Sequence, residues 1–243
     1  MSPDKESMTM RPLRCSLQVY SAAVVVLCLT VTPTIVTSVA AQETVHQSLA
    51  AGLGPGQTKG SATAPVVMEE FSDFQCPACG AFARETLPRL TAAYIATGKA
   101  RFIFRHFAIL GPDSEAAAEA AACAGAQGQF WPYHDRLFAA QGRLTFTRNN
   151  LLHVAQELRL DPADFTACLE TGRFTPHVRA ETKAAMALGL RGTPGFVING
   201  RSLVGALPFE LFQSVIEEAL AAAASGISPV PQAGQSAPPP PVK

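Results

Sequence analysis

The amino-acid sequence predicts an α/β fold in which a helical insertion interrupts a small sheet. Strand patterns occur in two separate parts of the chain, at residues 66–71 and 101–107 and again at residues 196–204. Residues 108–190, which lie between these parts, show helical periodicity instead. A strand–helix–strand crossover, followed after the insertion by an antiparallel hairpin and a last helix, is typical of an α/β layer.

The first strand and helix flank a Cys-x-x-Cys motif. Residues 66–71 are mostly apolar, and the motif begins shortly after them. We expect Cys76 near the helix N-cap, Pro77 at the first helical position and Cys79 one turn later. A thiolate at Cys76 would face unpaired backbone N–H groups and the positive end of the helix dipole, which lower its pKa. Apolar residues recur at helical spacing after the motif, at Phe82, Leu87, Leu90, Tyr94 and Ile95.

Three interpretations of the Cys-x-x-Cys pair compete: a redox centre, half of a zinc site and an inert structural disulfide. A zinc site needs a second Cys or His pair at ligand spacing, whereas Cys123 and Cys168 stand alone and far apart. The strand-to-helix position therefore favours the redox interpretation, and we expect no metal in the site. The histidines form no short-spaced pair and are interpreted as ordinary core or surface residues: His106, His134, His153 and His177.

The remaining elements follow from local patterns. Apolar and polar residues alternate over 101–107, which predicts a half-buried strand. The strand pattern returns at 196–198, and Asn199-Gly200 is the strongest two-residue signal for a hairpin turn before residues 202–204. Pro208 then opens a final amphipathic helix. Within the insertion, helical segments are predicted to begin at Asp113-Ser114, Phe130-Trp131, Asn150, Asp161-Pro162 and Thr175.

The two ends of the chain differ in composition from this folded body. Residues 1–41 contain a long uncharged and apolar stretch followed by small residues, so they are interpreted as a signal peptide, with an uncleaved membrane anchor as the alternative. Residues 42–61 are rich in Gly, Ser, Thr and Ala and are interpreted as a linker. Residues 225–243 are rich in proline, which predicts a disordered tail.

Export changes the interpretation of the other cysteines. Cys15 and Cys28 would leave with the signal, so that four cysteines remain in an oxidising compartment, enough for one catalytic and one structural pair. Cys123 and Cys168 are therefore predicted to form a structural disulfide, with two buried free thiols as the alternative. The formal net charge is zero and Lys and Arg form no run, which excludes nucleic acid as the expected partner.

Three segments together resemble the DsbA-like branch of the thioredoxin superfamily. They are Glu70 to Cys79, Phe130 to Asp135 and Gly192 to Gly200, and they occur in the expected order. The resemblance implies a thioredoxin fold with an inserted all-helical subdomain. The implied division of the chain is a thioredoxin core at 62–107 and 191–224, with a helical insertion at 108–190.

The resemblance also implies roles for individual residues of the site. Pro194 is expected to be cis and to lie beside the cysteine pair, so that the backbone of Thr193 is free to pair with an extended substrate chain. Glu70 falls where the family carries a buried acid beneath the cysteines. Such an acid would take or give the proton of Cys79 during exchange. The alternative is that Glu70 simply marks a solvated strand end.

One position departs from the family pattern. The best-known DsbA proteins carry a histidine directly before the second cysteine, where this chain has Ala78. Without that cation, the pKa of Cys76 is expected below roughly 8.5 but above the extreme near 3.5. The disulfide is accordingly expected to be less oxidising than roughly −120 mV, toward the value of roughly −270 mV that is typical of thioredoxin.

The predicted function is that of an exported thiol–disulfide oxidoreductase. A dithiol oxidase that introduces disulfides into secreted or periplasmic proteins is the leading interpretation. No cofactor is expected in the domain, and the resemblance implies a quinone-linked membrane oxidase as the redox partner. Two alternatives stay open: a periplasmic disulfide reductase or isomerase, and a chaperone that holds Cu(I) or Zn with the two cysteines.

Overall fold

The computed structural model describes residues 56–225. The predicted signal peptide, most of the predicted linker and nearly all of the proline-rich tail lie outside these residues. Within them, no helix is long and apolar enough to cross a membrane.

The described residues form five strands: Gln57–Lys59 (β1), Val66–Ser72 (β2), Ala100–His106 (β3), Gly195–Ile198 (β4) and Arg201–Val204 (β5). They make one mixed sheet in the order β1-β3-β2-β4-β5. The central strands β2 and β3 run parallel, with Glu70 opposite Phe104. The other three pairs are antiparallel, and Glu70 faces Phe196 across the β2–β4 ladder. The parallel crossover and the later hairpin are thus both present.

The hairpin turn forms where the sequence places it. Asn199 and Gly200 have φ values of 43° and 87°, the left-handed conformations that a two-residue hairpin turn of this kind requires. The Asn199 side chain also accepts a hydrogen bond from the N–H of Val67 at 2.7 Å. The turn is therefore held by its own backbone preference and by a contact with the neighbouring strand.

Strand β1 lies inside the predicted linker at residues 42–61, so the prediction of a linker is wrong for residues 57–59. Gln57 pairs with Phe104 and Lys59 with Phe102 along the edge of β3. The three residues Gln-Thr-Lys carry no apolar alternation, so local sequence offered no strand signal. The strand exists because the exposed edge of β3 offers backbone hydrogen bonds to any extended segment beside it.

The first helical run, α1, consists of four consecutive segments with different hydrogen-bond spacing. Pro88 lies at the start of the third segment and has no N–H to donate to the preceding turn, which favours a local change of helical pitch there. The segments are the α-helical Pro77–Ala81, the π-helical Phe82–Thr86, the α-helical Leu87–Leu90 and the π-helical Thr91–Ile95.

Five helices lie between β3 and β4, and a last helix follows β5. Asp161 caps its helix as predicted, because its carboxylate accepts a hydrogen bond from the N–H of Asp164 at 2.8 Å. The predicted cap at Asp113-Ser114 is wrong, since that helix begins at Pro112 after Gly111. The helices are Pro112–Ala126 (α2), Phe130–Ala140 (α3), Arg148–Glu157 (α4), Pro162–Glu170 (α5), Thr175–Ala187 (α6) and Phe209–Ala224 (α7).

Hydrophobic side chains cover both faces of the sheet. Alternate residues of β2, such as Val66 and Met68, belong to a large cluster shared with α1, α7 and the insertion. Phe71 belongs to a smaller cluster on the opposite face, together with Val197 and residues near the end of α6. This α/β architecture with a helical insertion confirms the predicted thioredoxin fold, and it places Glu70 on the same face as Val66, below the start of α1.

A disulfide joins two helices of the insertion. Cys123 of α2 and Cys168 of α5 are both buried, and their sulfur atoms are 2.01 Å apart with a Cα–Cα distance of 6.0 Å. The bond closes a loop with a sequence separation of 45 residues. In the chain-entropy model, such a loop stabilises the folded state by about 4 kcal/mol.

Candidate active site

The two cysteines of the motif lie at the junction of β2 and α1. Cys76 is the N-cap of α1 with an extended backbone, and Pro77 takes the first helical position. The N–H of Cys76 bonds to the carbonyl of Asp73 at 3.0 Å, which closes a tight turn before the helix. The thiols of Cys76 and Cys79 are both free, so the structure holds the reduced form of the pair.

Their surroundings shift the pKa values of the two thiols in opposite directions. The pKa of Cys76 is lowered to about 5, first by a hydrogen bond from the Cys79 thiol and then by Thr193 and the backbone N–H groups of Cys79 and Ala78. Burial opposes this change but does not outweigh it. The pKa of Cys79 is raised, first by burial and then by its bond to Cys76, and the charge that Glu70 gains when it ionises raises it further. Cys76 is thus the thiolate and Cys79 the protonated partner.

The sulfur of Cys76 is less open to solvent than its position at a helix cap predicts. Cys76 is 7% exposed, whereas Cys79 is 0% exposed. Cys76 is therefore nearly covered, although it remains the more accessible of the two residues. The loop before β4 provides the cover, since the Cys76 Sγ lies 3.2 Å from the carbonyl oxygen of Thr193.

That loop carries the predicted cis proline. The Thr193–Pro194 peptide bond is cis, and the carbonyl of Pro194 accepts a hydrogen bond from the N–H of Gly205 at 2.7 Å. The next residue, Gly195, already pairs with Phe71 of β2. The structure thus brings Thr193 and Pro194 beside Cys76, from a distance of more than a hundred residues in the sequence.

Glu70 lies buried beneath the cysteines and not at a solvated strand end. It is 0% exposed, and within residues 56–225 neither carboxyl oxygen has a hydrogen-bond partner. Burial raises the pKa of Glu70 to about 8, the charge of Cys76 adds to this rise, and the neighbouring Ser72 hydroxyl partly offsets it. Burial therefore favours the protonated form of Glu70.

The alternation of side chains along β2 explains how two adjacent acids, Glu69 and Glu70, fit into one buried strand. Glu69 points to the opposite face of β2, where its carboxylate forms an ion pair with Arg105 at 3.0 Å. Arg105 also bonds to the buried Glu181 of α6 at 3.0 Å. Because Glu69 is paired on the other face, only Glu70 is left as an uncompensated acid below the cysteines.

Two further residues hold the motif in place, and sequence reasoning missed both. The buried carboxylate of Asp73 accepts hydrogen bonds from the N–H groups of Gln75, Ile109 and Leu110 and from the hydroxyl of Ser114. These bonds tie the motif to the start of the insertion, and they explain why Ser114 does not cap α2. The second residue is Gln141, which directly follows α3 and bonds to the backbone of the motif.

No group of three or more His, Cys, Asp or Glu side chains within residues 56–225 is arranged to hold a metal ion. His134 of the insertion and His106 of β3 are packed among aromatic rings. His134 is completely buried and packs edge-on against Phe138 at 4.8 Å, and His106 packs against Phe104 at 5.4 Å. Both side chains serve as core residues, which agrees with their interpretation from the sequence.

The comparison with known protein families assigns the chain to a class. The family model described as Thioredoxin matches residues 54–218, more than half of the chain. The chain therefore belongs to the thioredoxin family. Within that family it is related to the probable disulfide bond formation protein D of Bacillus anthracis, which is 33% identical over 151 residues that cover 59% of this chain and 70% of that protein.

A second relative is a much longer protein. The Na(+)/H(+) antiporter NhaA 1 of Salinispora arenicola is 34% identical over 165 residues, which cover 67% of this chain. The chain spans only 24% of the length of that antiporter. The similarity therefore concerns one segment of the antiporter.

Solved structures agree with the fold. BdbD of Bacillus subtilis in its oxidised form has a TM-score of 0.64 and 24% identity, and the match covers 68% of this chain and 92% of BdbD. A thioredoxin-like oxidoreductase from Silicibacter pomeroyi has a TM-score of 0.60 and 28% identity, and the match covers 67% of this chain and 91% of that one. At 24% identity, the match to BdbD supports the fold alone.

Proposed function

We propose that the protein is an exported thiol–disulfide oxidoreductase that acts as a dithiol oxidase on secreted or periplasmic proteins. The observation that carries this proposal is the asymmetry of the two thiols. The pKa of Cys76 is lowered to about 5, whereas that of the fully buried Cys79 is raised. A pair with one stabilised thiolate and one protonated, shielded thiol is suited to disulfide exchange through a single reactive sulfur.

The first step starts from the oxidised enzyme. A substrate thiolate attacks the Sγ of Cys76, a new intermolecular S–S bond forms, and the bond between Cys76 and Cys79 breaks with its electron pair on Cys79. Attack at Cys79 is disfavoured because that residue has no exposed surface. The product is a mixed disulfide between Cys76 and the substrate.

The second step releases the product. A second substrate thiolate attacks the substrate sulfur of the mixed disulfide, which forms the substrate disulfide and expels Cys76 as a thiolate. The substrate has lost two electrons and the enzyme pair has gained them. Cys76 is a good leaving group because its pKa of about 5 lies far below that of an ordinary thiol.

Glu70 is proposed to serve the departing sulfur of Cys79. Burial raises the pKa of its carboxyl group to about 8, which favours the protonated form at neutral pH, and ionisation of this group raises the pKa of Cys79. We assign it the delivery of a proton to Cys79 when the disulfide opens, and the removal of that proton when the enzyme is reoxidised. The hydroxyl of Ser72 lowers the pKa values of both Glu70 and Cys79 and so partly offsets the effect of burial on them.

The stabilised thiolate favours the oxidase direction over the reductase alternative. Stabilising the reduced form of a dithiol makes its disulfide a stronger oxidant. A thiol pKa of about 5 lies between the values of roughly 7 and 3.5 for thioredoxin and the strongest oxidants of this type. The potential is accordingly expected between roughly −270 and −120 mV, as Ala78 predicts.

The loop of Thr193 and Pro194 is proposed as the site where the substrate backbone pairs. Thr193 is partly exposed and lies against the sulfur of Cys76, so an extended chain bound there would hold its own cysteine near the reactive atom.

The proposed location is extracytoplasmic, and the proposed reoxidising partner is a quinone-linked membrane oxidase.

The role assignment is tested by trapping. Cys79→Ser is expected to accumulate mixed disulfides with a reduced substrate protein through Cys76, and Cys76→Ser is expected to form none. Measurement of the reduction potential against glutathione buffers decides between oxidase and reductase. Trapping through Cys79 alone would contradict the assignment, and a potential below roughly −270 mV would favour the reductase alternative.

A further inference from the structure

The amide of Gln141 connects the helical insertion to the reactive turn. Its Nε2 donates one hydrogen bond to the carbonyl of Phe74 at 2.7 Å and another to the carbonyl of Cys76 at 2.9 Å. Gln141 itself directly follows α3 and belongs to the helical insertion, which is a different part of the fold from the one that carries the cysteines. The two bonds therefore hold both ends of the short backbone segment that leads into the nucleophile.

The orientation of this amide is determined by its surroundings. The Oε1 of Gln141 lies 3.4 Å from Nη1 of Arg84, which also donates to the carbonyl of Phe138 at 2.8 Å. The donor side of the amide thus faces two carbonyl groups and its acceptor side faces a cation. Since no other orientation satisfies these partners, the side chain is specified for this contact.

Gly80, directly after Cys79, leaves the space that Gln141 occupies. A Cβ atom at this position would lie 1.9 Å from the Oε1 of Gln141, far below any normal contact distance. Gly80 is inside a helix, where alanine is intrinsically preferred. The glycine is therefore accounted for by the close approach of Gln141, and the two residues form one fitted contact.

We propose that Gln141 is a positioning residue for the redox pair, through which the helical insertion holds the turn that presents the Cys76 sulfur to the N–H groups of α1. This inference rests on the proposed function, in which Cys76 is the reacting thiol. The carbonyl of Cys76 accepts from both Gln141 and the N–H of Gly80, so its direction determines the orientation of the first turn of α1. Backbone N–H groups of that turn stabilise the thiolate.

The test compares Gln141→Ala with Gln127→Ala in the reduced protein. Gln127 is a matched control, because it also bonds twice to backbone groups, those of Asp161, but within the insertion. The ultraviolet absorbance of the thiolate is titrated, and the equilibrium with glutathione is measured. Loss of Gln141 is expected to weaken thiolate formation at Cys76 about threefold to tenfold and to make the disulfide less oxidising by a similar factor. Gln127→Ala is expected to change neither value.

Gly80→Ala is a second variant that disrupts the contact between Gly80 and Gln141. The added methyl group is expected to displace Gln141 and to reproduce the change seen in Gln141→Ala. In the double variant the two effects should not add, because the contact is already lost. Independent, additive effects would overturn the proposal, as would an unchanged titration in folded Gln141→Ala.

The experiment separates this inference from the proposed function. The titration of Cys76 needs no substrate, so it measures the effect of Gln141 even if the protein oxidises no protein substrate. If Gln141→Ala and Gln127→Ala both lower stability and neither alters the titration, then Gln141 is only a structural residue. If the titration responds while wild-type protein fails to oxidise reduced substrates, the proposed function is wrong and the positioning role stands.

Discussion

Glu70→Gln offers the sharpest test of the electrostatics of the site. Glu70 is completely buried, and its pKa is raised from the ordinary value of 4.5 to about 8. A raised pKa of an acid means that the folded state prefers the protonated form. The contribution is therefore most favourable below pH 4.5, and stability is lost as the pH rises through the window up to about 8.

The size of the effect follows from the width of this window. Each pH unit between the two pKa values costs about 1.4 kcal/mol, so the ionisable group destabilises the fold by about 3 kcal/mol between pH 4.5 and neutrality. In a domain of this size, that corresponds to a change in Tm of roughly 6–12 °C. Glutamine cannot ionise, so this pH dependence is expected to disappear in Glu70→Gln.

The assay is denaturant unfolding of the reduced protein at a series of pH values across this window. The quantity of interest is the difference in unfolding free energy between Glu70→Gln and wild type, which is expected to grow by about 3 kcal/mol from low to neutral pH. The buried glutamine amide changes the unfolding free energy by an amount that does not depend on pH, so it leaves the pH dependence of the difference unaffected. Glu69→Gln is the matched control, and it is expected to lower stability because it breaks the ion pair with the buried Arg105. A difference that stays flat across the window would refute the argument that burial raises the pKa of Glu70.

Two further predictions concern stability. The double variant Cys123→Ser with Cys168→Ser is expected to have an unfolding free energy about 4 kcal/mol lower than that of the wild type, as measured in denaturant. The thiolate titration of the active site is expected to stay unchanged. Free thiols at both positions in non-reducing peptide maps of the native protein would contradict the disulfide. His106 is buried, and its pKa is lowered from 6.5 to about 3, so the folded state loses stability as the pH falls from 6.5 towards 3. His106→Asn is expected to reduce this loss by about 2 kcal/mol at a pH of about 5, as measured by unfolding over that range, and an unchanged acid slope would contradict it.

Local signals were sufficient for the elements that carry the reactive chemistry. A cysteine before proline at a strand-to-helix junction predicts the N-cap position of Cys76, and this position forms because Pro77 suits the first helical turn. The turn at Asn199-Gly200 likewise depends on the conformational preference of its own two residues. In such cases the energetic determinants lie within a few residues of each other, so the sequence contains them directly.

Other features depend on neighbours that are distant in the chain. Ser114 looked like a helix cap, but its hydroxyl bonds to Asp73, which a local pattern cannot reveal. β1 forms because the edge of β3 is open to pairing, although its own residues carry no strand signal. The limited exposure of Cys76 is set by the loop at Thr193, which lies 117 residues away. Each of these outcomes is a property of a contact between segments.

The sequence by itself determined the pair Cys76 and Cys79 and its position at the junction of a strand and a helix. Only the tertiary structure decided how reactive each sulfur is. The pKa of a group depends on how much water surrounds it and on which donors and charges approach it. Those conditions are set by the burial of Glu70, the loop of Thr193 and the contact of Gln141, all of which exist only once the core and the insertion have packed together.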